Sequence, residues 1–141
     1  MNDKRVKQLS VLIENEAGSV SDVTSILGDE RINIRGFSVS DTAEFGVLRL
    51  IVDRPEDASD ALRLAGFPVR EDDVICIDLP DVPGGLAGVL SMVASAGVNI
   101  EYVYSLIAAY VVINVADVER SLHLLADKPL RLVDQAEIAS A

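Results

Sequence analysis

Two short segments of this chain carry residue types suited to holding a small charged molecule. Glu14-Asn15-Glu16-Ala17-Gly18-Ser19-Val20 and Pro80-Asp81-Val82-Pro83-Gly84-Gly85-Leu86 each run through a glycine into a stretch with apolar residues at helical spacing. Glycine at 18 and 84 lets the backbone turn sharply and approach a ligand closely. A helix opening there presents free N–H groups and the positive end of its dipole, which suits a carboxylate. Asn15 offers an amide that donates and accepts at once, as a zwitterion requires, whereas Asp81 favours an ammonium and repels a carboxylate. The same glycines also serve a plain strand-to-helix turn, and Asn15 a local Asx turn. Repetition is what lifts the binding reading above the turn reading.

The two segments stand at a constant offset of 66, and the offset also carries Val23 onto Val89, Leu27 onto Val93, Asn33 onto Asn99 and Ile34 onto Ile100. One register kept through loop, helix and following strand marks an internal duplication. Leu9 to Ile13 reads as a strand, and Val20, Val23, Ile26 and Leu27 as the apolar face of a helix. Ile34 to Ser40 and Phe45 to Val52 read as strands joined by the polar turn Asp41-Thr42-Ala43-Glu44. Arg54-Pro55-Glu56-Asp57 opens a second helix that buries Ala58, Ala61, Leu62 and Ala65 and stops at Gly66, and a short strand follows around Val69. The second half repeats this order: a strand over Val74 to Leu79, a helix carrying Leu86, Val89, Leu90 and Val93 and ended by Gly97, and a hairpin of Ile100 to Ser105 with Ala108 to Val115. Asp117 caps a helix with Val118, Leu122 and Leu125, and Leu130 to Val133 closes the unit. The expected fold is α+β, two tandem ferredoxin-like βαββαβ units over residues 1–70 and 71–141, with their sheets joined edge to edge. Glu71-Asp72-Asp73 is the expected joint.

A strand ending in an acid or amide, then Ala-Gly or Pro-Gly, then a helix that gives way to Ile32-Asn33-Ile34 or Val98-Asn99-Ile100, resembles the ACT domain, a small-molecule-sensing module that bacteria attach to amino-acid metabolic enzymes. Ala17 departs from the pattern, standing where Pro83 keeps the proline. The resemblance implies a non-catalytic regulator whose amino-acid ligand lies between two units. Asn15, Ala17, Gly18, Ser19, Val20, Asn33 and Ile34 are then the ligand-binding candidates of the first unit, and Asp81, Pro83, Gly84, Gly85, Leu86, Asn99 and Ile100 those of the second. By the family's two-fold arrangement, the loop of Asn15 and Gly18 works with Asn99, and the loop of Asp81 and Gly84 with Asn33. Asparagine also commonly satisfies turn backbone where a helix yields to a strand, and both readings of Asn33 and Asn99 can hold together. Arg35 and Phe37 correspond to Glu101 and Val103, so the two pockets are expected to differ chemically.

Composition narrows the function classes. The chain has 141 residues, with 12 Lys and Arg against 23 Asp and Glu and a formal net charge of −11. That balance repels nucleic acid, and the scarcity of aromatic residues argues against a stacking platform even with Tyr102, Tyr104 and Tyr110 on expected strands. Residues 71–141 hold 3 basic and 11 acidic side chains. His123 stands alone in an expected helix with no cysteine or carboxylate pair at ligand spacing, so neither catalysis nor a metal or other cofactor is expected. Gly84-Gly85-Leu86-Ala87-Gly88 lacks the Lys-Ser/Thr of a phosphate-binding loop. Cys76 alternates with Ile75 and Ile77 and reads as a packed strand residue. No apolar run follows Met1-Asn2-Asp3-Lys4-Arg5 and none approaches the ~20 residues of a membrane span, so a cytoplasmic protein without a signal peptide is expected. The expected partners are an amino acid, a second copy in a homodimer and a regulated enzyme. The competing reading is a structural or interaction module with degenerate pockets that docks on such an enzyme or on a transcriptional regulator.

Overall fold

Alternation of apolar and polar residues makes β1 (Arg5–Glu14) a strand that turns Leu9, Val11 and Ile13 into a core and leaves Leu12 and Glu14 outside. The computed structural model describes residues 3–14, 16–41 and 45–141, with Asp41 described by its backbone alone. Asn15 and the turn residues Thr42, Ala43 and Glu44 lie outside the described residues. Two compact units emerge: one is Lys7–Asp72 with Ile138–Ala141, the other Asp73–Glu137 with the stretch through Val6.

In the first unit β1 is followed by α1 (Ser19–Asp29), β2 (Ile34–Asp41), β3 (Phe45–Val52), α2 (Pro55–Leu64) and the leading part of β4 (Val69–Asp78). The strands lie in the order β2-β3-β1-β4, the split β-α-β arrangement. Antiparallel register sets Leu9 opposite Leu50 and Val11 opposite Leu48, and on the other side of β3 sets Phe37 opposite Leu50 and Val39 opposite Leu48. Val23 and Leu27 of α1 and Ala58 and Leu62 of α2 close over that face, forming one core with Ile13, Ile32 and Val52. Val20 and Ala65, expected on the buried faces, are exposed because they sit at the helix ends, beyond the sheet-covering turns.

The second unit adds α3 (Gly85–Ser95), β5 (Ile100–Ser105), β6 (Tyr110–Val115), α4 (Val118–Leu125) and β7 (Arg131–Val133) to the trailing part of β4. Here β4 pairs with β6 and β7, and β6 with β5. Ile75, Ile77, Val89, Val93, Val111, Ile113 and Leu125 form its core. Both units are thus ferredoxin-like, as the order of elements required.

The structure departs from the sequence reading in three elements. The strand near Val69 and the strand over Val74 to Leu79 are one ten-residue strand, β4. No glycine or proline interrupts it, and Arg70 Nε donates to Asp72 Oδ1 at 2.9 Å, so the acidic joint is itself extended backbone. β6 begins at Tyr110, two residues late, because Ala108 adopts φ 58 in the hairpin turn. A last helix, α5 (Gln135–Ser140), was not expected. Its signal was present: Asp134 Oδ1 accepts from Glu137 N–H at 2.9 Å and Glu137 Oε1 from Asp134 N–H at 3.5 Å, the reciprocal bonds of an Asp-x-x-Glu capping box.

Cys76 is fully buried beside Val74 on the strand, with Val112 and Val133 opposite it in register. Burial, helped by the charges of Asp78 and Glu137, pushes its thiol from 9.0 up to about 12. Above pH 9 the unfolded chain therefore releases a proton that the folded chain keeps, so this group lowers stability by about 1.4 kcal/mol per pH unit until pH 12. Urea melts of the wild-type chain and Cys76→Ser from pH 8 to 11 check this: the stability gap between the two should narrow as pH rises, and a constant gap refutes it.

Candidate functional site

Both strand-to-helix loops repeat one backbone scheme. Glu16 N–H donates to Glu14 O at 2.8 Å and Val82 N–H to Pro80 O at 2.9 Å; Ser19 N–H donates to Glu16 O at 3.3 Å and Gly85 N–H to Val82 O at 3.0 Å. Asp22 N–H reaches Gly18 O at 2.8 Å, and Gly88 N–H reaches Gly84 O at 2.9 Å. Gly18 and Gly84 are the N-caps, at φ 91 and 83, a left-handed conformation that explains why glycine stands at both. Neither helix has a side-chain cap. The N–H groups of Val20 and Ser21, and of Leu86 and Ala87, have no partner among the described residues. Beside these donors the apolar side chains of Val20 and Leu86 are 36% and 44% exposed.

The loops differ in how tightly they close. A Cβ on Gly85 would lie 2.0 Å from the Pro80 carbonyl oxygen, whereas the corresponding Ser19 carries a side chain. Pro83 stiffens the second loop where Ala17 leaves the first freer. Asp81 is exposed with no partner among the described residues, while Asn15, its counterpart in the reading of the sequence, lies outside them.

Asn33 and Asn99 stand at the far ends of α1 and α3. An eleven-residue helix is about 16 Å long, so within a unit the asparagine is not brought to its own loop. Each helix ends in the same two bonds, Arg31 N–H to Gly28 O (3.0 Å) and Ile32 N–H to Leu27 O (2.9 Å), Gly97 N–H to Ala94 O (3.0 Å) and Val98 N–H to Val93 O (3.2 Å). Gly97 takes the left-handed position with ease, and Arg31 takes it at φ 58. Arg54 offsets that strain by donating to Glu30 O at 2.7 Å and Arg31 O at 3.0 Å. The backbone of Asn33 is secured by Asp53, which accepts its N–H at 2.9 Å and returns a bond to its carbonyl at 3.1 Å. The side-chain amides of Asn33 and Asn99 are exposed and bond no described residue, so Asp53 does the work the turn reading gave to Asn33 itself. Ile34 and Ile100, next in line, are half-buried against their cores.

Elsewhere in the second unit a cleft of about 840 Å³ opens between α4 and β7, lined by Leu122, His123, Leu125, Leu130, Arg131 and Leu132 and by Asp3 and Lys4. None of the candidate ligand-binding residues borders it. Local sequence patterns cannot reveal it, because its walls come from opposite ends of the chain. His123 is exposed at its rim, the surface position expected for it. Among the described residues no group of His, Cys, Asp and Glu side chains is arranged to hold a metal ion. Among the described residues no helix is long and apolar enough to cross a membrane.

A duplicated βαββαβ unit with glycine-capped strand-to-helix loops defines a tandem ferredoxin-like protein. The ACT domain pair family matches residues 4–141, and the chain belongs to that family. Its structure is similar to a crystal structure of a protein from Bacteroides thetaiotaomicron at 36% identity, covering 98% of each chain with a TM-score of 0.91. It also resembles the ligand-free regulatory subunit of aspartate kinase from Thermus thermophilus, at 20% identity over 85% of this chain and 90% of that one, TM-score 0.62. The regulatory subunit of aspartate kinase from Thermus flavus aligns at 18% identity over 88% and 92%, TM-score 0.58. No curated protein sequence matches the chain.

Proposed function

We propose that this chain is a non-catalytic amino-acid sensor that reports ligand occupancy to a metabolic enzyme in the cytoplasm. The observation that carries the reading is the repeated loop: two N–H donors without a described partner at the head of a helix, beside an uncovered apolar side chain, at both Gly18 and Gly84. The donors suit the carboxylate of an α-amino acid, and Val20 or Leu86 suits an apolar portion of its side chain. Asn15 or Asp81 meets the ammonium. Membership of the ACT domain pair family and the fold shared with aspartate kinase regulatory subunits support a regulatory role.

The sensor works as a homodimer. β2 and β5 end the strand order, each paired on one side only, and β2 leaves Phe37 65% and Val39 48% exposed along that open edge. A second copy pairing there removes the unpaired backbone and the apolar surface together. Calorimetry and thermal shift with the twenty amino acids test the sensor, with light scattering run in parallel. The expected result is a melting rise for one or a few chemically related amino acids and a dimer mass. No heat and no shift with any of them overturns the sensor and leaves the interaction module in its place.

A further inference from the structure

We infer that the cleft between α4 and β7 is a second small-molecule site, separate from the two loops, and that it takes a hydrophobic monocarboxylate. Its volume of about 840 Å³ is that of a small-molecule cleft, and Leu122, Leu125, Leu130 and Leu132 form its floor. Such a floor recognises a hydrocarbon body.

The rim decides the sign of the head group. In a chain of net charge −11, whose residues 71–141 include only three Lys and Arg, the basic groups Lys4, His123 and Arg131 line the cleft together with one acid, Asp3, while Asp78, Asp134 and Glu137 pair with Arg131 and Lys4 from outside the lining. Asp3 is occupied: Oδ1 accepts from Arg5 N–H at 2.9 Å and from Nε at 3.1 Å, and Oδ2 from Nη2 at 3.1 Å. Arg131 is held by Asp78 at 3.1 Å and by Glu137. Lys4 differs, because its nearest carboxylates, on Asp134 and Glu137, stand 3.9 Å away, outside hydrogen-bond distance. Its ammonium and the imidazole of His123, which bonds no described residue, retain unused donors over an apolar floor. A carboxylate completes both, while its alkyl body covers the leucines. A cationic amphiphile would meet Lys4 and Arg131 and gain nothing from them.

Titration of the isotope-labelled full chain with octanoate, followed by amide resonances, tests the site. Octanoate should shift the amides of residues 122–126, 130–132 and Lys4, and octylammonium should bind about tenfold more weakly. Lys4→Ala and His123→Ala, both at partly or fully exposed positions, should each weaken octanoate by about three- to tenfold with the melting temperature unchanged. Absence of shifts at the cleft, shifts confined to other residues, or equal affinity for octylammonium overturns the proposal. The comparison of the two probes uses the unmodified chain, so it stands even where a variant fails to fold. Saturating any amino acid found to bind the loops should leave the octanoate affinity unchanged, which keeps the two sites distinguishable.

Discussion

Gly85→Ala should destabilise the protein by about 3 kcal/mol or more, lowering the melting temperature by roughly 10 °C. The added Cβ would sit 2.0 Å from the Pro80 carbonyl oxygen and 3.2 Å from its carbonyl carbon. Both are backbone atoms, so no side-chain end can swing aside. Either the head of α3 moves, breaking the 3.0 Å bond from Gly85 N–H to Val82 O, or Pro80 moves and loses the 2.9 Å bond from Val82 N–H. Two neighbours calibrate the claim. Gly84→Ala meets nothing within 4 Å but keeps φ 83, and should cost about 1–2 kcal/mol through backbone strain alone. Gly88→Ala, inside the helix with open space around it, should stabilise by about 0.5–1 kcal/mol. Thermal melts of the three variants check the ranking. A Gly85→Ala protein that melts within 2 °C of the parent, or above Gly84→Ala, would show that steric closure of the loop is not what glycine at 85 provides.

That ranking also says what could and could not be seen in the residues. A glycine at 18 and at 84, one offset apart and each preceding an apolar helical pattern, already announced two positive-φ N-caps, and the 66-residue register reappears bond for bond in both loops and both helix ends. The register carries such information because backbone bonding is local: it spans a few residues and depends on few of their side chains. Gly85 reads like any other glycine in the second position of a pair. Its requirement comes from the carbonyl of Pro80 folding back onto it, a contact that only the closed loop makes. The same distinction separates the well-placed elements from the rest. β3 and β5 have their expected limits, Phe45–Val52 and Ile100–Ser105, since alternation and flanking turns define them. The merger of two expected strands into β4 depends on pairing partners that are distant in sequence. So does the cleft above β7, whose lysine comes from the opposite end of the chain. α5 is the one local feature that was passed over, and Asp134 and Glu137 bore its signature.

The corner after α1 shows duplication giving way to divergence. Gly97 occupies its left-handed position without help, while Arg31 holds the same position under the clasp of Arg54, whose Nη1 also pairs with Asp57 at 2.9 Å. The second unit caps α4 by a different device, Asp117 accepting from Arg120 N–H at 3.1 Å. These replacements keep the backbone path of each unit while changing the charges around it: arginines in the first unit, acids in the second. Divergence of this kind makes the two loops unequal partners for a zwitterion.

We propose the first loop as the stronger binding site: Asn15→Ala should weaken binding of the amino acid identified by calorimetry by about ten- to a hundredfold, the loss of about 1.5–3 kcal/mol expected for a hydrogen bond to a charged group. An amide places no repulsion on the ligand carboxylate, whereas Asp81 sets a negative charge beside it in a half of the chain that holds 11 acids against 3 bases. Ala17 in place of proline leaves the first loop freer to close over its ligand. Asp81→Ala should then change affinity by less than about threefold, within the range of an exposed charge acting at a distance. The pairing that the family resemblance implies for Asn99 and this loop predicts that Asn99 behaves like Asn15, and Asn33 like Asp81. Neither asparagine side chain bonds a described residue, so alanine at 33 or 99 should leave the melting temperature of the ligand-free chain within about 1–2 °C, and any lost affinity belongs to the ligand. Calorimetric titration of the four variants against the parent decides the matter. Binding abolished by Asp81→Ala and Asn33→Ala but retained by Asn15→Ala and Asn99→Ala would place the working site on the second loop instead.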